Sequence, residues 1–288
     1  MWKIAGLFYA ASLSAPHAAI VVAYESAVEA YAEAAAGAAG ELDPRVARLV
    51  DLSGPTGSGE LARALNAGDV RVVIALGSRA LAEVRAQKAA APVVAAMTLH
   101  GGEGVAGEVE LEVPLATQLE VMRSLLPRSS RVGLIRNLGR RQSDMEALEA
   151  RARRLGFTLV PADSNGPSQL LKAVASLKGK VDFLLCSPDP DLYNAVTIKP
   201  LILASLDGRL PVVGFSPAFV RAGAAAGIYA DYRESGRQAA AMATRLLRGE
   251  ERAAVEEPSK VRVAVNQRML HLLGLEFRSG AYAIEVMR

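Results

Sequence analysis

Residues 70–80, VRVVIALGSRA, combine a short apolar run, a glycine and a helix start, and this combination indicates the fold class. The run predicts a buried strand ending at Leu76, and Gly77 breaks the pattern before a helix begins at Ser78. A helix that starts directly after a buried strand points free N–H groups and the positive end of its dipole above the sheet. Because Arg79 adds a full positive charge, we predict an anion contact at Ser78 and Arg79.

The same alternation of apolar strands and helical patterns continues along the whole chain from Ile20. Short apolar strands separated by helices predict parallel sheets with right-handed crossovers. Two successive sets of about five strands predict two such sheets. We therefore predict an α/β fold with two Rossmann-like lobes. The predicted strands are residues 20–24, 47–52, 70–76, 92–97 and 108–113, then 132–136, 158–162, 181–186, 211–215, 227–230 and 260–265.

Composition supports this class and excludes others. The 288 residues are 51% hydrophobic but only 5% aromatic, which is typical of strands covered by helices on both faces. The net charge of +3 comes without a block of five like charges, so no nucleic-acid partner is predicted. The single cysteine, Cys186, excludes an internal disulfide. No metal-ligand spacing, dinucleotide fingerprint or nucleophile elbow is present, so we predict no metal, no cofactor and no enzyme activity.

Residues 1–19 differ from the rest of the chain. Lys3 precedes an apolar run at 4–13, and small residues follow at 14–19, as in a secretory signal peptide. We predict export and a periplasmic or other extracytoplasmic location after cleavage. The alternative is a hydrophobic first strand. A membrane anchor is disfavoured because spanning needs roughly 20 apolar residues.

The other helix starts differ from the one at Ser78 because they carry acids. Each of three starts reads as a capping box, in which a first-position side chain and a fourth-position Glu satisfy free N–H groups. These acids make the three starts poor anion sites. The pairs are Ser26 with Glu29, Ser143 with Glu146, and Asp231 with Glu234.

The loop after the strand at 181–186 offers the opposite chemistry. It reads Ser187-Pro188-Asp189-Pro190-Asp191, with two acids in a proline-stiffened segment. In an α/β sheet, ligands bind outside the carboxyl ends of strands. We predict one functional carboxylate here that accepts hydrogen bonds from an ammonium or hydroxyl group, although each acid also suits a turn or cap.

Six segments together resemble the ABC-transporter substrate-binding proteins of the tryptophan/tyrosine-binding-protein-like group. The resemblance runs from about Val21 to Leu275 and implies the type I periplasmic-binding-protein architecture, with two lobes joined by about three crossings. It implies a first lobe of residues 20–113 plus 228–251 and a second of 114–227 plus 252–288. The segments are ALGSRAL (75–81), QLEVMRSLLPRSSRVGLI (118–135), SPDP (187–190), PVVGFSPAFVRAGAAAG (211–227), DYRESGRQAA (231–240) and VAVNQRMLHLLGL (263–275).

The resemblance also implies which residues contact a ligand, mainly an aromatic or other amino acid in this group. Amino-acid-binding members commonly carry Asp-Pro after the fourth strand, where this chain has Thr98-Leu99-His100. The ammonium partner is then expected from Asp189 or Glu25. The implied first-lobe residues are Tyr24, Glu25, Ser26, Gly77, Ser78, Arg79 and Thr98. The implied second-lobe residues are Asn137, Ser143, Asp189 and Ser216, with Asp231 beside a crossing.

The sequence thus predicts an exported, monomeric binding protein of an ABC import system. Its lobes close on a small polar or amphipathic ligand, an amino acid among the candidates, and deliver it to a membrane permease in a transient complex. Two alternatives stay open: a periplasmic sensor with a signalling partner, and a cytoplasmic α/β enzyme.

Overall fold

The computed structural model describes residues 19–99, 101–137, 145–250, 254–278 and 282–287. Strands and helices alternate from the first described residues, as predicted. The first part of the chain contains β1 (Ile20–Tyr24), α1 (Glu29–Glu41), β2 (Ala47–Asp51), α2 (Gly57–Leu65), β3 (Val72–Leu76), α3 (Ser78–Ala86), β4 (Val93–Ala96) and β5 (Gly107–Val109).

The later part repeats the alternation and ends with additional strands. It contains α4 (Leu115–Leu125), β6 (Arg131–Arg136), α5 (Met145–Arg154), β7 (Thr158–Asp163), α6 (Pro167–Leu177), β8 (Phe183–Leu185), α7 (Ile198–Asp207), β9 (Val212–Gly214) and α8 (Pro217–Arg221). It continues with β10 (Ala226–Ala230), α9 (Tyr232–Leu247), β11 (Ala254–Glu256), β12 (Val261–Asn266), α10 (Gln267–Leu273) and β13 (Ala283–Met287).

The described strands form two sheets, which confirms the predicted α/β class. The first sheet has six strands in the order β11-β5-β4-β3-β1-β2, and the second has seven in the order β13-β12-β10-β9-β8-β6-β7. The pairing is parallel except between β10 and β12, which are antiparallel. We call each sheet with the helices packed on it the first lobe and the second lobe. The short strands β11 and β13 were not predicted, because neither has a long apolar run.

The apolar strands are explained by cover on both faces of the sheet. In β1, Ile20 and Val22 contribute to one core of the first lobe, whereas Val21 and Ala23 contribute to the core on the opposite face. All five residues of β3 are buried. A continuous apolar run is therefore required here instead of an alternating one.

The chain changes sheet between β5 and α4, between β10 and α9, and between β11 and β12. Two of these changes come later in the chain than expected: one follows residue 230 instead of 227, and the other follows residue 256 instead of 251. All of β10, including Ala226 and Ala230, pairs within the second sheet. Strand β11 pairs with β5 in the first sheet, so the last change follows Glu256. Its three residues are too short a pattern to read from sequence.

Helices α1 and α9 pack with their backbones in direct contact. A Cβ atom on Gly37 would lie 1.9 Å from the Arg233 carbonyl oxygen, and one on Gly236 would lie 1.9 Å from the Ala34 carbonyl oxygen. Only glycine fits at either position. This contact attaches α9 to α1 in the first lobe. Along the chain, α9 lies between the second and third changes of sheet.

Residues 1–18, which include nearly all of the predicted signal peptide, lie outside the described residues. None of the helices in the described ranges combines the length and the apolar character that crossing a membrane requires.

Candidate functional site

The two lobes enclose a cavity at the carboxyl ends of their parallel strands. Its volume is about 230 Å³. Leu99 contributes from the first lobe, and the remaining lining comes from the β5–α4 crossing and the second lobe. We call it the cleft cavity. The lining residues are Leu99, Glu112, Asn137, Ser164, Asn165, Pro188, Asp189, Pro190, Asp191 and Leu192.

The Asp189 loop is held in a defined shape by its own backbone. The Asp189 carbonyl accepts hydrogen bonds from the N–H groups of Leu192 at 3.1 Å and Tyr193 at 2.7 Å. Its side-chain Oδ1 accepts from the Asp191 N–H at 3.0 Å. This Asx turn fixes the carboxylate at the cavity wall. Asp189 thus lies at a cavity wall after β8, and its predicted role as the functional acid stays a prediction.

Tyr193 anchors this loop to the core of the second lobe. Its buried ring makes edge contacts with Phe215 and Phe219, with centroids 6.1 and 5.9 Å away. Its hydroxyl donates to the Ile135 carbonyl at 3.3 Å. Because the anchor is packed on several sides, the Asp189 wall is built on a rigid base.

Cys186, just before this loop, is fully buried, and burial raises the pKa of its thiol to about 12. We expect thiol reagents at pH 8 to leave the folded protein unmodified, because the thiolate is the reactive form. Denaturation should expose the thiol, and one equivalent of reagent should then react. Ellman's assay before and after adding guanidinium measures both states. Rapid labelling of the native protein would contradict the described burial.

On the first lobe, α3 begins at Ser78 as predicted. Gly77 is its N-cap with a φ of 96°, no side chain caps the helix, and the first turn carries no acid. A Cβ atom on Gly77 would lie 2.6 Å from the ring of Tyr31, so glycine is needed for both conformation and space. The first N–H groups of α3 therefore remain suited to an anion or a carbonyl group.

Arg79, by contrast, already has an acidic partner. Its Nη1 lies 2.7 Å from Oε1 of Glu25, which follows β1. The two residues are 54 positions apart, so no local sequence pattern indicated the pair. In this conformation the charge of Arg79 is compensated by Glu25. Glu25, Ser78 and Arg79 are not among the residues that line the cleft cavity, so the ligand contact at the α3 start stays a prediction.

The predicted capping box at Ser26 is wrong. Helix α1 begins at Glu29, and its N-cap Val28 makes no side-chain hydrogen bond. Ser26 instead donates its backbone N–H and its hydroxyl to the Asp51 carboxylate at the end of β2. These hydrogen bonds, chiefly that from the Ser26 hydroxyl, hold the pKa of Asp51 well below its usual range. Ser26 is thus tied to the neighbouring strand.

Thr98 directly precedes Leu99, through which the first lobe lines the cleft cavity, but Thr98 is not itself among the lining residues. Thr98 is 2% exposed, and among the residues that the structure describes its hydroxyl has no hydrogen-bond partner. It follows Met97, a buried residue held at a φ of 61°. Buried hydroxyls without partners are costly, and backbone strain of this kind concentrates at functional sites. Thr98 is therefore a candidate for a hydrogen bond that forms only with a ligand.

The remaining predicted residues have different positions. Tyr24, at the end of β1, has a pKa raised by burial and by Asp51. Asn137 lines the cleft cavity. Asp231 caps α9 by accepting from the Glu234 N–H at 3.0 Å, as predicted. The second half of the predicted capping box is not formed, because the Asp231 N–H donates to the Lys260 carbonyl at 2.9 Å instead of to Glu234. Ser143 lies outside the described residues.

Ser216 caps α8 and lines a second cavity between the lobes, which we call the hinge cavity. Its volume is about 300 Å³. Helix α1 lines one side, and α8, β10, β12 and β13 line the other. The charged and aromatic lining residues are Glu29, Glu33, Arg221, Tyr229, Tyr232, Arg262 and Glu285.

Sequence reasoning missed Ser164 and Asn165, which follow β7 and line the cleft cavity. Two adjacent polar residues at a strand's carboxyl end were the available signal. In the described part of the chain, no group of three His, Cys, Asp or Glu side chains is placed to hold a metal ion.

Comparison with known proteins identifies a family and solved structures with the same fold. Residues 58–279 match the family model described as "ABC transporter substrate binding protein". A tyrosine-binding protein of Clostridioides difficile (strain R20291) is 25% identical over 133 residues, which is 46% of this chain and 38% of that protein. The chain thus matches well under half the length of this curated relative.

Two solved structures show the same two-lobed fold. A substrate-binding protein with adhesive properties from Clostridium difficile, in its ligand-free, open form, gives a TM-score of 0.68 at 18% identity, covering 93% of this chain and 98% of that chain. A Streptococcus pneumonia ABC domain in complex with L-Trp gives 0.56 at 16% identity, covering 93% and 99%.

Proposed function

The chain belongs to the ABC transporter substrate-binding protein family, and we propose that it binds one small amphipathic solute in the cleft cavity. The family and the structural neighbours are binding proteins and not enzymes. The observation that carries the proposal is that Leu99 of the first lobe and Asp189 of the second line a single cavity. A ligand there contacts both lobes at once.

The chemistry of the walls favours a zwitterion. Three acidic residues, Glu112, Asp189 and Asp191, line the cavity, and their negative charge stabilises a ligand ammonium group there. On the first lobe, β3 pairs with β4, so the start of α3 lies beside the segment that leads from β4 to Leu99 at the cavity. The N–H groups in the first turn of α3 suit a carboxylate, and we assign the ligand carboxylate to them. An amino acid has both groups.

The apolar part of the lining suits an apolar side chain on this ligand. Leu99, Leu192 and two prolines border the cavity. One relative is named a tyrosine-binding protein, and one structural neighbour holds L-Trp. We propose an amino acid with a large apolar side chain as the ligand, with Asp189 holding its ammonium group.

Binding is coupled to closure in this proposal. A ligand that contacts both walls favours the arrangement in which the walls approach each other. The closed protein, acting as an exported monomer, delivers its ligand to a membrane permease of an ABC import system. The signal-peptide pattern of residues 1–19 supports export.

Thr98→Val tests the first-lobe contact. Valine keeps the shape but removes a hydroxyl that has no partner without ligand, so we expect an unchanged or slightly higher melting temperature. Loss of one neutral hydrogen bond to ligand should weaken binding by about 3- to 10-fold. Calorimetric titration with L-tyrosine and L-tryptophan measures the affinity.

The matched control is Thr56→Val, which removes an exposed hydroxyl at the start of α2 that donates to Glu60. It should leave the affinity unchanged. If Thr98→Val binds the amino acid as tightly as the unmodified protein, Thr98 has no role in the ligand site. If no amino acid binds the unmodified protein, the proposed ligand class is wrong.

A further inference from the structure

The second-lobe wall of the cleft cavity follows three neighbouring strands. Strands β8, β6 and β7 lie side by side in this order in the second sheet. Asp189 follows β8, Asn137 follows β6, and Ser164 and Asn165 follow β7, and all four residues line the cavity. Because they all belong to the second lobe, their spacing does not depend on how the two lobes are arranged.

The chemistry of the lining changes along this row of strands. After β8 the lining includes two acids, Asp189 and Asp191, whereas after β7 it consists of the neutral residues Ser164 and Asn165. Negative charge attracts a ligand ammonium group to the β8 end of the row. The β7 end is then left for a different part of the ligand.

The distance between the two ends of the row suits a long side chain. Since β6 separates β8 from β7, the ends of these two strands lie about two interstrand spacings apart, or ~9.5 Å. A side chain as long as that of tyrosine, extended from an ammonium group at Asp189, reaches the end of β7. A short aliphatic side chain does not. The far end of a long ligand side chain is therefore placed beside Asn165.

The backbone at this end of β7 is held on both sides. The Ser164 N–H donates to the Arg136 carbonyl at 3.1 Å, which continues the pairing of β7 with β6. The hydroxyl of Ser164, a residue that is 0% exposed, donates to the Gly166 carbonyl at 3.0 Å. The Asn165 N–H donates to Oε1 of Gln169 at 3.1 Å. Asn165 is thus attached to a fixed part of the sheet.

Of the neutral polar residues that line the cavity, Asn165 is best suited to a ligand. The Ser164 hydroxyl already donates within the protein and is buried, and Asn137 has a contact of its own. Asn165 is exposed, and within the described ranges its side-chain amide forms no hydrogen bond. An amide offers both a donor and an acceptor, so it suits a hydroxyl group in either direction.

We propose that the Asn165 amide hydrogen-bonds the hydroxyl at the far end of a tyrosine side chain, so that the cleft prefers L-tyrosine to L-phenylalanine. Asn165 is then a specificity-determining residue. The inference rests on the proposed function, because it takes a ligand whose ammonium group lies at Asp189. Since Asn165 is exposed, its amide bonds to water when phenylalanine is bound, and one neutral hydrogen bond gives a preference of about 3- to 10-fold.

Calorimetric titration of the unmodified protein and of Asn165→Leu with L-tyrosine and L-phenylalanine tests the inference. Leucine is similar in size but has no amide. The unmodified protein should bind L-tyrosine about 3- to 10-fold more tightly, and this ratio should fall to about one in Asn165→Leu, because only the affinity for L-tyrosine decreases. A merely structural role of Asn165 would weaken both amino acids equally and leave the ratio unchanged.

The matched control is Asn66→Leu, which replaces an exposed asparagine at the end of α2 that does not line the cleft cavity. It should leave both affinities unchanged. If the unmodified protein binds the two amino acids equally well, or Asn165→Leu keeps the preference for L-tyrosine, the inference is overturned while the proposed function stands. If the unmodified protein binds neither these amino acids nor L-tryptophan, the proposed function fails and the inference fails with it.

Discussion

Gly37→Ala is expected to destabilise the protein by about 3 kcal/mol or more, because the new methyl group has no space. Its carbon would lie 1.9 Å from the Arg233 carbonyl oxygen and 2.8 Å from the adjoining carbon. Both are backbone atoms of α9, so no side-chain rotation relieves the clash. Helices α1 and α9 must separate, which opens the alanine-rich core between them.

Gly40→Ala provides a control in the same helix. A Cβ atom on Gly40 has nothing within 4 Å, so alanine should stabilise the helix by up to about 1 kcal/mol through its higher helix propensity. Urea unfolding followed by circular dichroism gives both free energies of unfolding. Equal stability of the two variants would show that the helices do not pack as closely as described.

Asp189→Asn is expected to weaken ligand binding by about 10- to 100-fold, the usual effect of losing a charged hydrogen-bond partner. The Asn side-chain oxygen still accepts from the Asp191 N–H, as Oδ1 of Asp189 does at 3.0 Å. The loop and the Tyr193 anchor should therefore keep their shape. What changes is the negative charge that faces the ligand ammonium group.

Asp207→Asn is the control for this change, since it removes an exposed acid from the same lobe, at the end of α7 and away from the cleft cavity. Its affinity should equal that of the unmodified protein. Calorimetric titration of the three proteins with L-tyrosine and L-tryptophan, together with their melting temperatures, separates binding from stability. An unchanged affinity in Asp189→Asn would move the ammonium contact to another acid.

The fold was predictable because its main signals are local. The run in β3 followed by Gly77 and Ser78 carries its strand, its turn and its helix start within eleven residues. Strand β11 lacks such a signal, because its three residues are ordered by pairing with β5, which lies far away in sequence. Because β11 was not predicted, the expected first lobe ended at residue 251, whereas its sheet includes residues up to Glu256.

The site was predictable only in part, because several of its contacts join distant residues. Asp189 follows directly from the pattern of a strand and a proline-stiffened loop. The pairing of Arg79 with Glu25 and of Ser26 with Asp51 depends on which strands are neighbours in the sheet. Sequence alone therefore assigned Arg79 a free charge and Ser26 a capping role.

Native mass spectrometry of the gently purified protein tests the central claim most directly. If the cleft cavity holds one small zwitterion through Asp189, the unmodified protein should show one bound molecule per chain. The molecule released on denaturation should be an amino acid, and the Asp189→Asn protein should have lost it. The claim is contradicted if the released molecule lacks an ammonium group, or if both proteins retain the same molecule to the same extent.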